Sequence, residues 1–358
     1  MAMEPTASAD LSGMGLGSEV PLAAVDRSLR QLWESNEAVT RASAMNFAIC
    51  SEDPDSLAAN TELIREVTRE HACRAILLAV RHHEGPGEVR AWITAHCQVA
   101  AGGRKSVCSE QIAFLISGSG PQLLPSTLFA HVDSDLPLTF WWQGHFSPRW
   151  EPHLYAEIDR LVIDSSAWAD PVREFAVLEE SWRSANRGFS VNDLSWTRVL
   201  PYRMAVAASF DDPETLAALP RMDVLEITHG PGHGLAARML AAWVCERAGW
   251  SVTGGDAAAG FALSDGGRPV SLRFRQCPDG CAIAKVELSA SDLAVTLQRA
   301  PGSGFIEGAA ESGGQRRHAT LTPCACDTPA DLVKERLRRG CNTRHYFALL
   351  ETVRQFLV

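Results

Sequence analysis

Apolar positions along the chain switch between two periods, and the switches predict the elements. From Pro21 onward, Leu22, Val25, Leu29, Leu32 and Trp33 recur at three- and four-residue spacings, the stripe of an amphipathic helix. Met45–Cys50 reads as a strand. Asp53-Pro54 supplies a helix cap and a proline suited to a first turn, opening a helix that turns Leu57, Ile64 and Val67 inward. Arg74–Arg81 is an apolar run bounded by arginines, as expected of a strand buried on both faces. The turn at His82–Gly87 leads into an alternating strand through Trp92 and Cys97. Strands at Gln111–Ser117 and Leu138–Gln143 bracket a helix around Leu123–Val132, and helices open at Glu151-Pro152 and Asp170-Pro171. Strands alternating with helices predict an open α/β sheet with helices on its faces.

After the turn at Asp211-Asp212-Pro213 and a short helix to Leu219, the pattern changes, and a domain boundary is predicted near 220. A strand at Val224–Thr228, a glycine turn and a helix over Leu235–Trp250 come next. Short strands are then punctuated by Asp265-Gly266-Gly267, Pro278-Asp279-Gly280 and Pro301-Gly302-Ser303-Gly304, which predicts an antiparallel meander. Thr328-Pro329 and Asn342-Thr343 open two closing helices, the last with Tyr346, Phe347, Leu350, Val353 and Leu357 on its apolar stripe. The predicted organisation is a flexible tail over 1–20, an N-terminal α/β domain over 21–220 and a smaller α+β domain over 221–358.

Composition narrows the classes. With 358 residues, 46% hydrophobic and 21% charged, the chain can bury cores of ordinary size. Its 43 acids against 33 bases give net −10, the balance of a protein that is no general binder of nucleic acid or anionic membranes. The first base is Arg27, so the start lacks the early positive charge of a secretory signal. Ten cysteines in 358 residues are too sparse for a disulfide scaffold, and free thiols of a cytoplasmic protein are the expectation.

The element nearest to a catalytic motif is Thr228-His229-Gly230-Pro231-Gly232-His233-Gly234, between a strand and a helix. Glycines there let backbone amides approach an anion at the positive end of a helix, so a nucleotide- or sugar-phosphate-binding enzyme using Gly230–Gly234 is one reading. Leu235 stands where a dinucleotide fingerprint needs its third glycine, and a tight turn flanked by two surface histidines is the blander reading. Cys277 and Cys281 flank a three-residue hairpin loop, and Cys324 and Cys326 share one face of an extended segment. Four thiolates brought together form a metal or redox module, but neither spacing is the usual zinc knuckle, and the expected metal content is none. No serine sits in G-x-S-x-G. Nothing here builds a catalytic constellation, and no cofactor is expected.

Ten tryptophans against three tyrosines need a reason. Trp141 and Trp142, adjacent on a strand, point to opposite faces of a sheet, so both must be covered by core, helix or partner. These residues also carry a resemblance. Val20-Pro21 through Leu32-Trp33 and Arg41–Asn46 resemble the opening of the glucose-6-phosphate dehydrogenase assembly protein family, OpcA. Leu136–Gly144 is similar to its "LP…WW.G" strand, Leu161–Ser166 to its "DRLIVDS" segment and Asp193–Arg198 to its "DLNWTR". The resemblance implies a non-catalytic cytoplasmic protein that binds glucose-6-phosphate dehydrogenase and activates it allosterically. The family does not specify the contact surface; the large contact area of tryptophan and the planar hydrogen bonding of arginine make Trp141, Trp142, Asp164, Ser165, Trp196, Thr197 and Arg198 the candidate partner-binding residues. An intramolecular alternative stands beside that reading, in which Asp164 caps the following turn and Arg198 pairs with a carboxylate.

Overall fold

The computed structural model describes residues 15–34, 39–81, 86–99, 106–118, 123–144, 152–185, 188–278, 280–300, 302–324 and 328–357. Two compact units form, residues 1–143 with 157–159 and residues 144–156 with 160–358. The mixed α/β class predicted from the periodicity is the class observed, with helices and two sheets.

The first unit contains β1 (Ser18–Val20), α1 (Val25–Glu34), β2 (Val39–Arg41), β3 (Asn46–Ser51), α2 (Ser56–Val67), β4 (Arg74–Arg81), β5 (Glu88–Val99), β6 (Ser106–Ser117), α3 (Leu124–Phe129) and β7 (Leu138–Gln143). Its strands run β1-β5-β6-β4-β3-β7, with β2 pairing β6. The neighbours β6, β4, β3 and β7 are parallel, as expected when helices connect them. All six side chains of β3 and the middle six of β4 are buried, the signature of strands covered on both faces. Trp141 and Trp142 are only 3% and 4% exposed, so both faces of β7 are covered at that point.

Two expectations are corrected in this unit. The tail predicted over 1–20 is partly ordered: Ser18–Val20 pairs antiparallel with Ala91–Ile93, and Leu16 is buried. Gly17 makes the entry possible. It sits at φ +95°, and a Cβ there would lie 2.1 Å from the Ile93 carbonyl oxygen. Gly17→Ala is expected to detach β1, and amide exchange over 91–93 should rise at least tenfold; unchanged protection would contradict this. The free-thiol expectation also fails at one pair. Antiparallel register sets Cys97 opposite Cys108 with Cα atoms 4.1 Å apart, and the two form a disulfide.

The second unit contains α4 (Pro152–Glu157), β8 (Arg160–Ile163), α5 (Pro171–Ser184), β9 (Ser190–Asp193), α6 (Leu194–Arg198), α7 (Leu200–Ser209), α8 (Pro213–Ala218), β10 (Val224–His229) and α9 (Gly234–Ala248). It continues with β11 (Ser251–Asp256), β12 (Gly260–Asp265), β13 (Arg268–Gln276), β14 (Ile283–Ser289), β15 (Leu293–Gln298), β16 (Phe305–Ser312), β17 (Gln315–Pro323), α10 (Pro329–Arg339) and α11 (Thr343–Gln355). β8 and β9 pair in parallel. The eight remaining strands form one sheet in the order β11-β12-β13-β10-β14-β15-β16-β17. The predicted meander is present as β14–β17, but β10 is inserted between β13 and β14, parallel to the first and antiparallel to the second. Alternation along each strand buries one face, including Leu225, Ile227, Val286, Leu288, Val295, Leu297 and Ile306.

The break between units falls near residues 144–159 rather than near 220. Tyr202 on α7 donates to the Ile283 carbonyl at 2.5 Å, and Tyr346 on α11 donates to Asp193 at 2.8 Å. Residues 160–220 are thus tied to the C-terminal sheet and helices by contacts that periodicity cannot display.

Candidate functional site

Two aspartates end two neighbouring parallel strands and organise the most polar buried region of the second unit. Ile163 and Asp193 are register partners, so Asp164 and Asp193 both emerge at the carboxyl ends of β8 and β9. Each caps the turn or helix next along the chain. Asp164 Oδ1 accepts from the Ser166 amide (3.2 Å) and hydroxyl (2.6 Å), closing a 3₁₀ turn over Ser165–Ala167. Asp193 Oδ1 accepts from the Ser195 amide (2.9 Å), starting α6.

The two caps are then tied to distant elements. Arg198 at the end of α6 forks onto Asp164, Nη1 to Oδ1 at 2.7 Å and Nη2 to Oδ2 at 2.6 Å. Asp193 also accepts from the Ser165 hydroxyl (2.7 Å), the Ser165 amide (3.2 Å) and the Tyr346 hydroxyl (2.8 Å). Thr197 donates its hydroxyl to the Asp193 carbonyl at 2.8 Å. Arg203 lies 3.5 Å from the Trp196 ring centroid, and Arg336 donates to the Gly340 carbonyl at the end of α10.

Electrostatics separates the two carboxyls. Burial pushes Asp164 up, but the hydrogen bonds and charge of Arg198 outweigh it and hold the group below the usual carboxylate range. Asp193 has no guanidinium fork. Burial, with the neighbouring Asp164 charge, pushes it up to about 6 despite its donors. Burial and the charge of Arg336 bring Arg203 down to about 9.

Of the sequence-predicted site residues, Asp164, Ser165, Trp196, Thr197 and Arg198 do come together, and the intramolecular alternative describes how. Ser165, Trp196, Thr197 and Arg198 are between 1% and 6% exposed, so these side chains face the fold. Sequence reasoning missed Tyr346, Arg203 and Arg336 as members. Asp193 was visible as the start of the Asp193–Arg198 segment, and its cap pattern, Asp followed two residues on by Ser, was a usable signal.

The remaining candidates are rearranged. The Gly230–Gly234 turn is closed: His233 donates its amide to the Gly230 carbonyl, and a Cβ on Gly234 would lie 3.1 Å from Arg238 Nη1 and 3.5 Å from His229 Cε1. His229 is buried at 8% exposure, not a surface histidine, and its Nδ1 lies 2.8 Å from the Gly230 carbonyl oxygen. Cys277 and Cys281 do not flank a hairpin, because β10 runs between β13 and β14. Cys277 donates its amide to the His229 carbonyl, and Cys281 accepts from the Gly230 amide. Cys324 is buried, and Cys326 lies outside the described residues. Among the described residues, no group of three or more His, Cys, Asp or Glu side chains is placed to hold a metal. No described helix is long and apolar enough to cross a membrane.

One cavity of about 350 Å³ lies in the first unit, lined by Asp26, Leu29, Arg30, Trp33, Arg41, Arg74 and Glu110. The buried Glu110 carboxylate accepts there from Arg41 (2.7 Å) and Trp33 Nε1 (3.1 Å), with Arg74 at 3.3 Å. These groups hold the point where β2 ends and β4 begins along the same edge of β6.

The fold is that of a two-unit mixed α/β protein. It superposes on the 3-ketoreductase KijD10 of Actinomadura kijaniata, solved with NADP and TDP-benzene, with a TM-score of 0.51 at 10% identity over 87% of this chain and 95% of that one. Two family models then match in tandem, the glucose-6-phosphate dehydrogenase subunit N-terminal domain over residues 64–180 and its C-terminal domain over 189–350. The chain belongs to the OpcA family of glucose-6-phosphate dehydrogenase assembly proteins. Curated relatives include the OxPP cycle proteins OpcA of Synechocystis sp., 25% identical over 190 residues, and of Nostoc punctiforme, 24% identical over 188. Each alignment spans 52% of this chain and 39% or 40% of the relative's own length.

Proposed function

We propose that this chain is a non-catalytic, cytoplasmic assembly factor and allosteric activator of glucose-6-phosphate dehydrogenase in the oxidative pentose phosphate pathway. The observation that carries the reading is the tandem match of both family domains across residues 64–180 and 189–350. The use of the polar side chains supports it. Asp164, Asp193, Arg198 and Tyr346 satisfy one another, and the glycine turn is filled by His229 and Arg238. Activation requires tighter binding to the active state of the enzyme than to the inactive one.

Adding the protein to its cognate dehydrogenase is expected to raise kcat/KM for glucose 6-phosphate about fivefold or more, a coupling of about 1 kcal/mol. The protein alone should turn over nothing. Unchanged kinetics at saturating and demonstrably bound protein would sink the activator reading. The buried Trp141, Trp142, Trp196 and Arg198 support the fold in this reading. Enzyme contact then falls to exposed residues, with the basic helix α10, including Arg338 and Arg339, the first to test.

A further inference from the structure

Helix α1 turns charged side chains toward the interior of its own unit. Asp26, Leu29, Arg30 and Trp33 stand at i, i+3, i+4 and i+7, one side of the helix, and all four line the cavity of the first unit. The sheet contributes Arg41 from the end of β2, Arg74 from the start of β4 and Glu110 from β6. Arg74 opens its strand, so the cavity lies at the amino end of β4. Open α/β sheets ordinarily take their ligands at the carboxyl ends of the strands.

The charges in this cavity do not cancel. Glu110 is 1% exposed and its carboxylate is fully committed. Oε1 accepts from Arg41 at 2.7 Å with Arg74 Nη1 at 3.3 Å, and Oε2 accepts from the Trp33 indole at 3.1 Å. One carboxylate thus holds two guanidiniums and an indole in place. The buried Arg74 Nε has no hydrogen-bond partner. Arg30 is exposed and makes no ion pair or side-chain hydrogen bond among the described residues. Asp26, the second acid, is largely exposed. The Nδ1 of buried His131 stands 3.8 Å from its Oδ1, beyond hydrogen-bond reach. Three arginines face two acids, which leaves the wall one positive charge in excess, and the unspent donors are guanidinium N–H groups.

Unspent guanidinium donors in a recess select an oxyanion. The donor set narrows the class further. Arg30, Arg41 and Arg74 come from a helix and two different strands, which suits the several terminal oxygens of a phosphate monoester; a planar carboxylate is satisfied by one fork. At about 350 Å³ the cavity falls at the small end of the roughly 300–1,000 Å³ of ligand pockets, with room beyond the phosphate group. Leu29, Trp33 and Asp26 border that room. Asp26 repels a second anionic group and accepts from hydroxyls, so the remainder of the ligand is neutral and carries hydroxyl groups.

We propose that this cavity binds a small phosphorylated polyol, its phosphate held by Arg30, Arg41 and Arg74 and its hydroxyls received by Asp26.

Isothermal titration calorimetry on the full chain tests it, at physiological ionic strength so that loose attraction between exposed charges is screened. Glucose 6-phosphate, used as the probe, is expected to bind once per chain in the submillimolar range, and glucose is expected not to bind. Arg30→Gln should weaken the sugar phosphate at least tenfold with an unchanged melting temperature, because Arg30 has no pair to lose. Arg41→Gln should weaken it likewise. That variant also breaks the pair to Glu110, so circular dichroism checks its fold, and Arg30→Gln decides the matter if it does not fold. Arg27→Gln, exposed on the same helix but off the cavity wall, should bind as the wild type does. Absence of saturable binding, affinity indifferent to Arg30→Gln, or an equal loss in Arg27→Gln overturns the proposal. Glucose binding as tightly as its phosphate overturns it, and so does citrate binding more tightly, which would give the cavity to carboxylates. No dehydrogenase is present in the titration, so the outcome is independent of the activator reading.

Discussion

Arg198→Ala is expected to destabilise the second unit by about 3–5 kcal/mol, the range for removing one partner of a buried ion pair. Arg198 is 6% exposed, and both of its terminal nitrogens are committed to Asp164 at 2.6–2.7 Å. Truncation leaves a carboxylate that burial disfavours, stripped of the charge and fork of Arg198 and held by hydrogen bonds such as those from the Ser166 amide and hydroxyl. Arg198→Lys should recover only part of the loss, since an ammonium is a point charge without the planar fork. Removing both partners, Asp164→Leu with Arg198→Met, should cost less than Arg198→Ala alone. Urea unfolding monitored by circular dichroism measures each of these losses. Binding of the dehydrogenase by the folded variant should be unchanged. A normal unfolding midpoint with binding weakened tenfold, about 1.4 kcal/mol, would instead make Arg198 an interface residue.

The second large effect is a pH dependence centred on Asp193. Its folded value, about 6, lies above the usual carboxylate value of about 3.9, because burial and the Asp164 charge disfavour ionisation. The folded state therefore holds this proton more tightly than the unfolded state. Its contribution is fully present below pH about 4 and is lost as pH rises through about 6. Asp164 has the opposite sign: its stabilisation is present above the usual carboxylate range and is lost as pH falls through its lowered value. Asp193→Asn removes the first dependence and keeps the size of the group. Relative to the variant, the wild-type protein should lose about 2 kcal/mol between pH 4.5 and 7.5. Denaturant titrations at those two values provide the difference. A constant difference across the range would show that Asp193 titrates like an exposed carboxylate.

Much of the architecture was legible because burial imposes period. The bounds of β4 coincide with the apolar run Arg74–Arg81, and Thr328, Asn342, Asp170 and Asp212 cap their helices as their side chains predict. What pairs with what was not legible. The Cys277–Cys281 segment has the composition of a hairpin turn, yet β10 lies between its flanking strands. No local rule reports a strand inserted from fifty residues upstream. The tail was misjudged for a related reason, since three residues at Ser18–Val20 are too few to show alternation, and Gly17 reads as flexibility rather than close approach. At the polar cluster, Asp164 and Arg198 were visible through their segments. Tyr346 and Arg336 were hidden because their partner Asp193 and neighbour Arg203 lie more than a hundred residues away in sequence.

The insertion of β10 also sets an order of events during folding. The strand at 224–229 must stay available until both 271–276 and 283–289 have arrived, so the centre of the sheet cannot close early in synthesis. The hairpins β11–β12 and β14–β15 are local and can form first. Joining them through β10 needs two long loop closures, which makes that step the slow one. While it is pending, both edges of β10 and the apolar side chains Leu225, Ile227 and Val286 are open to other chains. Refolding yield should therefore fall with protein concentration, and the species lost to aggregation should be one in which the two hairpins are formed and the central strand is still unpaired.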